Sequence, residues 1–281
     1  MPKVKRIAVM TSGGDCQAMN SVVRAVVLAA RKYNIETVGI MDGFYGMTYR
    51  RPGDFRVLRA EDVENIISRG GTILNSARFD EFRQESVIKT AAKNMKEEGI
   101  EALVVAGGDG SFRGGLDLLK YSNIPIIGIP STIDNDITST EYTLGFDTAL
   151  RNTIEMADAL RDTCNSHKRC NVIEVMGRNC GQIALMTAIA VGASGVAIPE
   201  APEAFDVDRT IDRMIEARKR GKRSFLVVFA EGAVNTRLTD DEKKATLDAA
   251  AESYLADRIS GRDLAMIADE NYISAFGEQF R

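Results

Sequence analysis

No apolar stretch in this sequence approaches the ~18 residues that a membrane-spanning helix requires. The opening residues, Met1-Pro2-Lys3-Val4-Lys5-Arg6, lead straight into a short apolar run, without the apolar core and small-residue cleavage site of a secretory signal. Together these features predict a cytoplasmic protein with no membrane partner. Histidine occurs once, at His167, and the four cysteines (Cys16, Cys164, Cys170 and Cys180) form no C-x-x-C pair. That is poor material for a zinc site, and the thiols read as reduced, buried or idle. No G-K-[ST] occurs anywhere, and the first glycine turn, Gly13-Gly14, fits neither a Walker A sequence nor G-x-G-x-x-G. The P-loop and dinucleotide-dehydrogenase readings therefore lose support. A net charge of −4 argues against a general nucleic-acid binder, so an anionic ligand would need a local cluster of arginines.

What is present is ordinary in bulk and specific in detail. The 281 residues, 44% hydrophobic and 27% charged, suffice for two domains or one large α/β domain with a sizeable core. Short apolar runs at 7–11, 37–41, 102–106 and 124–130 read as strands buried on both faces. Helical patterns lie between or beside them at 19–32, 86–98 (capped by Ser86, stopped by Gly99) and 111–119. The second half repeats the alternation, with helices at 147–162, 182–191 and 206–220, and strands at 171–176, 196–199 and 224–230. This alternation predicts an α/β protein of two Rossmann-like, doubly wound lobes with mostly parallel sheets and a cleft between them. A boundary near 138–141 gives lobes 1–140 and 141–281. Thr239-Asp240-Asp241-Glu242 is a capping box opening an Ala-rich helix to about 259, and the pieces 264–268 and 272–276 have no clear type.

In open α/β sheets the ligand crevice forms at the C-terminal ends of strands, which directs attention to three turns. Thr11-Ser12-Gly13-Gly14-Asp15 follows the first strand, and paired glycines there let a phosphate approach the backbone. Its bland reading is a plain strand-to-helix turn. Gly107-Gly108-Asp109-Gly110-Ser111 follows another strand. Asp109 offers a hard oxygen for Mg²⁺, and the amides of Gly110 and Ser111 open a helix that can hold an anion. Pro130-Ser131-Thr132-Ile133-Asp134-Asn135-Asp136 follows a third: Asp134 is a candidate general base and Thr132 a candidate hydrogen-bond donor to a transferring group. An Asx turn made by Asn135 and Asp136 alone would be the structural alternative. Arg78, Arg169 and Arg178 supply countercharge, and three guanidiniums near two acidic turns point to a polyphosphate site.

These segments carry a resemblance. T-S-G-G-D-x-x-x-M-N (11–20), G-G-T-I-L-x-S-A-R (70–78), G-G-D-G-S (107–111), the 130–136 turn and G-F-D-T-A (145–149) resemble the ATP-dependent bacterial 6-phosphofructokinases. So do 166–169, V-I-E-V-M-G-R (172–178), 198–200 and A-E-G (230–232), in the family's order over roughly 5–232. The resemblance implies phosphoryl transfer from MgATP to the 1-hydroxyl of fructose 6-phosphate. It implies that Gly14, Arg78, Phe79, Gly108, Asp109, Gly110 and Ser111 hold ATP, with Asp109 on Mg²⁺. It implies Asp134 as base, Thr132 beside the moving phosphoryl group, and Met176, Gly177, Arg178 and Glu231 on the sugar phosphate, with Arg178 also steadying the phosphoryl in flight. Arg169 would reach the 6-phosphate bound by a neighbouring subunit, which makes an oligomer part of the site, and the resemblance implies a homotetramer.

The family's T-R-x-x-x-L-G-x-x-Q-R-G-G segment is not recognisable in 233–281, which implies a divergent or truncated C-terminal segment. The alternative reading is a non-catalytic or impaired nucleotide-binding relative. A further class, NAD and lipid kinases, shares G-G-D-G-S but not the T-I-D-N-D and M-G-R turns. Gly110 and small Ser131 stand where pyrophosphate-using members carry Asp and Lys, which favours ATP. Arg24 and Arg161 match arginines of the family's effector site. Leu28 and Ser194 replace charged residues of that site, so the usual allosteric control is not implied.

Overall fold

The computed structural model describes residues 4–202 and 206–233, so the expected helix at 239–259 and the pieces behind it lie outside the described residues. The chain divides into two compact units, Met1–Asn152 and Thr153–Arg281.

The first unit holds six strands: β1 (Arg6–Thr11), β2 (Glu36–Ile40), β3 (Phe55–Leu58), β4 (Ala102–Gly107), β5 (Ile126–Thr132) and β6 (Leu144–Gly145). Their order across the sheet is β3-β2-β1-β4-β5-β6, all parallel except β3, which runs antiparallel to β2. Period-two alternation fixes the two faces. Ala8 and Met10 of β1 join Leu103 and Val105 of β4 on one side, against Ile88, Ala91 and Met95 of α3 (Glu85–Glu97) and Leu118 of α4 (Asp109–Leu119). Val9 and Val104 face the other side, against Val23 and Val27 of α1 (Met19–Lys32). Each fully buried valine, leucine or methionine among them contributes roughly 1.5–3 kcal/mol. Helices on both faces of a mostly parallel sheet make this unit doubly wound.

Several elements differ from the sequence reading. The short helix α2 (Phe44–Tyr49), β3 and β6 were not expected. β3 has only four residues, two of them exposed, and β6 has two, so neither carries a readable apolar period. Strand β5 is not buried on both faces, since Ile127 is 59% exposed. Only its last two residues pair with β6 (Ser131↔Leu144 and Thr132↔Gly145), so most of its outer edge and one face lack cover in this unit. Ser86 does not cap α3: the helix starts at Glu85 behind Gln84, and no side chain caps it. Gly99 does end it, at φ 66°, a region open to glycine. Helix α4 begins at Asp109, inside the turn, rather than at 111.

Helix α5 (Phe146–His167) crosses the division between the units. The second unit has a parallel sheet ordered β7-β9-β8, from β7 (Cys170–Val175), β8 (Gly195–Ala197) and β9 (Phe225–Ala230). Ile173 and Leu226 pack with Ile154 and Ala157 of α5 and Val191 of α6 (Gln182–Val191). Val172, Phe225 and Val227 pack with Met214 and Ala217 of α7 (Val207–Lys219). Asp206 caps α7 by accepting from Arg209 N–H at 3.0 Å. Among the described residues, no helix is long and apolar enough to cross a membrane.

Candidate active site

In the first unit β2 and β4 flank β1 on opposite sides, so the turns leaving β1 and β4 diverge at a topological switch point. Those are the two glycine turns. Ser12 N–H donates to Ala106 O at 3.0 Å, and Ser111 Oγ, buried, donates to Ser12 O at 3.0 Å. The 69–76 loop, which leads to Arg78, is tied to the same edge. Thr11 Oγ1 donates to Asn75 O (2.7 Å) and Ser76 Oγ to Gly13 O (2.6 Å). Asn20, 1% exposed on the buried face of α1, donates to Arg69 O (3.0 Å) and accepts from Ile73 N–H (2.8 Å). The sequence reading gave Ser12 and Asn20 no role. An asparagine among the valines of an amphipathic helix was the available signal, because a buried amide must be matched.

Glycines at this edge fall into two kinds. A Cβ on Gly107 would lie 2.5 Å from Ser111 Oγ and 2.7 Å from Ser12 O, so the fold itself demands glycine there. A Cβ on Gly14 or Gly110 would meet nothing within 4 Å, and neither residue has positive φ. Among the described residues, no contact requires glycine at 14 or 110. Open space before both turns is what a phosphate needs, and α4 begins there without a side-chain cap, so amides at its N-terminus face the same space. Ser111 N–H is an exception, since it donates to Gly108 O at 3.0 Å.

Strand β5 brings the acidic turn to the same end of the sheet, because β4 and β5 are parallel neighbours with Gly107 beside Pro130. A Cβ on Gly108 would lie 3.8 Å from Thr132 Cβ. Ser131 is buried and its hydroxyl donates to Ile129 O at 3.1 Å, so it projects no group toward a ligand. Asn135, with φ 54°, closes the following loop: its Oδ1 accepts from Thr143 N–H (2.8 Å) and its Nδ2 donates to Glu141 O (3.2 Å). Thr143 Oγ1 then donates to Thr132 O at 2.6 Å. Asp134, half-buried, has its N–H on Thr132 Oγ1 at 3.2 Å. Asn135 and Thr143 therefore hold the loop, and the backbone N–H of Asp134 ties that residue to Thr132 at the end of β5. Cys16 is also structural. Burial pushes its thiol pKa up, and the protonated sulfur donates to Leu144 O at 3.2 Å.

Asp109 is exposed on the first turn of α4. Among the described residues, no group of three or more Asp, Glu, His or Cys could hold a metal alone. Mg²⁺ fits such a setting, because it takes one or two carboxylates together with substrate phosphates and waters. Arg78 is exposed just beyond the loop tied to β1. Phe79 sits in an aromatic group instead of standing free, with ring centroids 5.4 Å from Tyr45 and 5.8 Å from Tyr49.

In the second unit the Met176-Gly177-Arg178 turn leaves the C-terminal end of β7. Glu231 Oε1 accepts from Gly177 N–H at 3.0 Å and from Arg178 N–H. Arg178 has φ 53°, an uncommon conformation for a non-glycine residue, so this latch stabilises a strained backbone at a candidate site. Arg169 does not share that end: it directly precedes β7, whose six residues separate it from Arg178 by about 20 Å of strand. Arg161, matched to the effector region, donates to Val191 O at 2.8 Å and pairs with Asp158.

Comparison with known proteins agrees with this architecture. The sequence is 46% identical over 232 residues to the ATP-dependent 6-phosphofructokinase of Lysinibacillus sphaericus, covering 83% of this chain and 71% of that one. It is 47% identical over 234 residues to the enzyme of the same name from Persephonella marina, covering 83% of this chain and 71% of that one. Among solved structures, phosphofructokinase from Saccharomyces cerevisiae superposes with a TM-score of 0.76 at 36% identity. That match covers 87% of this chain but only 36% of the yeast chain. The sequence model of the phosphofructokinase family (PFK) matches residues 6–274, and with the glycine and acidic turns gathered at one sheet edge, the chain belongs to that family.

Proposed function

We propose that the protein transfers the γ-phosphoryl group of ATP to the 1-hydroxyl of fructose 6-phosphate, giving fructose 1,6-bisphosphate and ADP. It acts in the cytoplasm, in glycolysis, with no nucleic-acid or membrane partner. The observation that carries this reading is the pair Gly14 and Gly110, glycines that open onto free space at the sheet edge, where a phosphate can approach the backbone. In the step itself the sugar's 1-oxygen bonds to γ-phosphorus, the bond from γ-phosphorus to the β,γ-bridging oxygen breaks, and Asp134 takes the hydroxyl proton. Thr132 hydrogen-bonds the moving group. Gly14, Arg78, Phe79, Gly108, Gly110 and Ser111 line the nucleotide, and Asp109 is the residue that would hold Mg²⁺, which when bound draws charge off the phosphates. Met176, Gly177 and Arg178 take the sugar phosphate, with Glu231 holding the turn in shape, and Arg178 also neutralises charge on the moving phosphoryl group.

A coupled assay with ATP and fructose 6-phosphate, beside an ATP-binding titration, tests the reading. Turnover supports the kinase. ATP binding without turnover would instead identify a regulatory relative. The small residues at 110 and 131 lead to a further expectation, that ATP outperforms pyrophosphate as donor.

The protein works as a homotetramer in this reading. Arg169 and Arg178 stand at opposite ends of β7, so one chain cannot easily place both on one sugar phosphate, and a neighbour's Arg169 can complete the site. Helix α6 also supports self-association: it carries no charged residue and leaves Leu185, Met186 and Ile189 exposed. Sedimentation should give a tetramer at micromolar concentration. An active monomer would sink the shared-site idea.

A further inference from the structure

The carboxylate assigned to the metal already has a partner. Arg113, one helical turn along α4, donates from Nε to Asp109 Oδ2 at 3.0 Å. We propose that Arg113 is a further nucleotide-contacting residue, which holds Asp109 while the site is empty and moves to a phosphate oxygen of the donor when the metal takes that carboxylate. This rests on the kinase reading above, and specifically on Asp109 as metal ligand.

Three observations converge on it. First, among the residues of the G-G-D-G-S turn and the next turn of α4, the other side chains serve the fold. Ser111 Oγ is bound to Ser12 O, and the Phe112 ring lies over Gly128 of β5, where an added Cβ would be 2.8 Å from it. Glycines occupy 110, 114 and 115, which leaves Asp109 and Arg113 as the pair that faces out. Second, spacing of i,i+4 puts both on one face of α4, and helical side chains lean toward the N-terminus, so the guanidinium lies over the uncapped first turn where phosphates are expected. Third, the pair is weak enough to exchange. Its side chains are 76% and 61% exposed, and an exposed ion pair is readily displaced by a dication, while a guanidinium set free beside a polyphosphate has a stronger, bidentate partner. Asp117, the other acidic residue at i+4 spacing from Arg113, does not compete for it, since it pairs with Lys120 at 2.6 Å.

The test is Arg113→Gln beside Arg113→Lys, read by calorimetric titration with MgATP, steady-state kinetics and thermal melting. For Arg113→Gln, Kd and KM for MgATP should rise about 5- to 30-fold, between the worth of an exposed ion pair and that of a charge-assisted hydrogen bond. The kcat, the KM for fructose 6-phosphate and the melting temperature should stay near wild type, and Arg113→Lys should recover part of the loss. Mn²⁺ binding without nucleotide, followed by electron paramagnetic resonance, should strengthen by up to about fivefold in Arg113→Gln, because the competing cation is gone. Unchanged MgATP affinity in Arg113→Gln would overturn the proposal, as would tighter MgATP binding, which would make Arg113 only a competitor of the metal. The two readings fail differently: a wild type that neither binds nor turns over MgATP removes the kinase assignment and this proposal with it, whereas normal wild-type turnover with an indifferent Arg113→Gln removes Arg113 alone.

Discussion

Replacing Asp134 by Asn should lower kcat about 10²–10⁴-fold while leaving ATP affinity within a few-fold of wild type. The range is that of a lost general base, since an amide can still hydrogen-bond the sugar hydroxyl but cannot accept its proton at neutral pH. The structure gives reason to expect a clean result. Loop closure after β5 uses Asn135 and Thr143, through bonds of 2.8 and 3.2 Å at Asn135 and 2.6 Å at Thr143, and Asp134→Asn leaves the donors and acceptors of all three unchanged. Asp134→Asn also keeps its own N–H, which donates to Thr132 Oγ1. By contrast, Asn135→Ala should release the loop and disturb Thr132 and Asp134 together, lowering stability as well as rate. Calorimetric ATP binding and melting curves, run beside turnover, separate the two cases. A wild type with ordinary turnover that is indifferent to Asp134→Asn would remove Asp134 as the base.

How much of this was legible in the residues depends on the distance over which each feature is encoded. Strands β1 and β4 and helix α1 announce themselves, because a short unbroken apolar run and a stripe of valines at period 3.6 can each be seen within about a dozen residues. The placement of the turns at one sheet edge followed from strand–helix alternation, which forces parallel pairing and puts successive strand ends on one side. Burial of β5 was misjudged for a physical reason: an apolar run does not say whether a neighbour covers it, and the two residues of β6 cover only its end. The cap of α3 was misjudged because the helix starts at Glu85 behind Gln84, which puts Ser86 inside the first turn, where it cannot be the capping residue. The ties that build the site were out of reach. Asn20 to Arg69, Thr11 to Asn75 and Ser12 to Ser111 join residues 49, 64 and 99 positions apart, where no local period operates. The Asp109–Arg113 pair, at i,i+4, was within reach of sequence inspection.

Gly110→Asp should separate function from fold more sharply than any other single change. The position is the second residue of α4, its φ is not positive, and a Cβ there would meet nothing within 4 Å. An added carboxylate in the first turn of a helix interacts favourably with the helix dipole, typically by about 0.3–1 kcal/mol, so the melting temperature should hold or rise. Catalysis with ATP should nonetheless collapse. If the nucleotide's α-phosphate fills the open space before Gly110, a carboxylate there sits within about 4 Å of it, and two unit charges at that distance repel by roughly 4 kcal/mol in partly screened surroundings. That corresponds to about a thousandfold in affinity, and kcat/KM for ATP should fall by roughly that factor, while the KM for fructose 6-phosphate changes little. Pyrophosphate, which has no α-phosphate or nucleoside beyond the transferred pair, should lose much less, so the ratio of the two donors is the informative measurement. The structural explanation of Gly110 as a space kept for a ligand is thereby exposed directly: a Gly110→Asp protein that melts normally and still uses ATP at the wild-type rate would mean the space before α4 is not where the nucleotide lies.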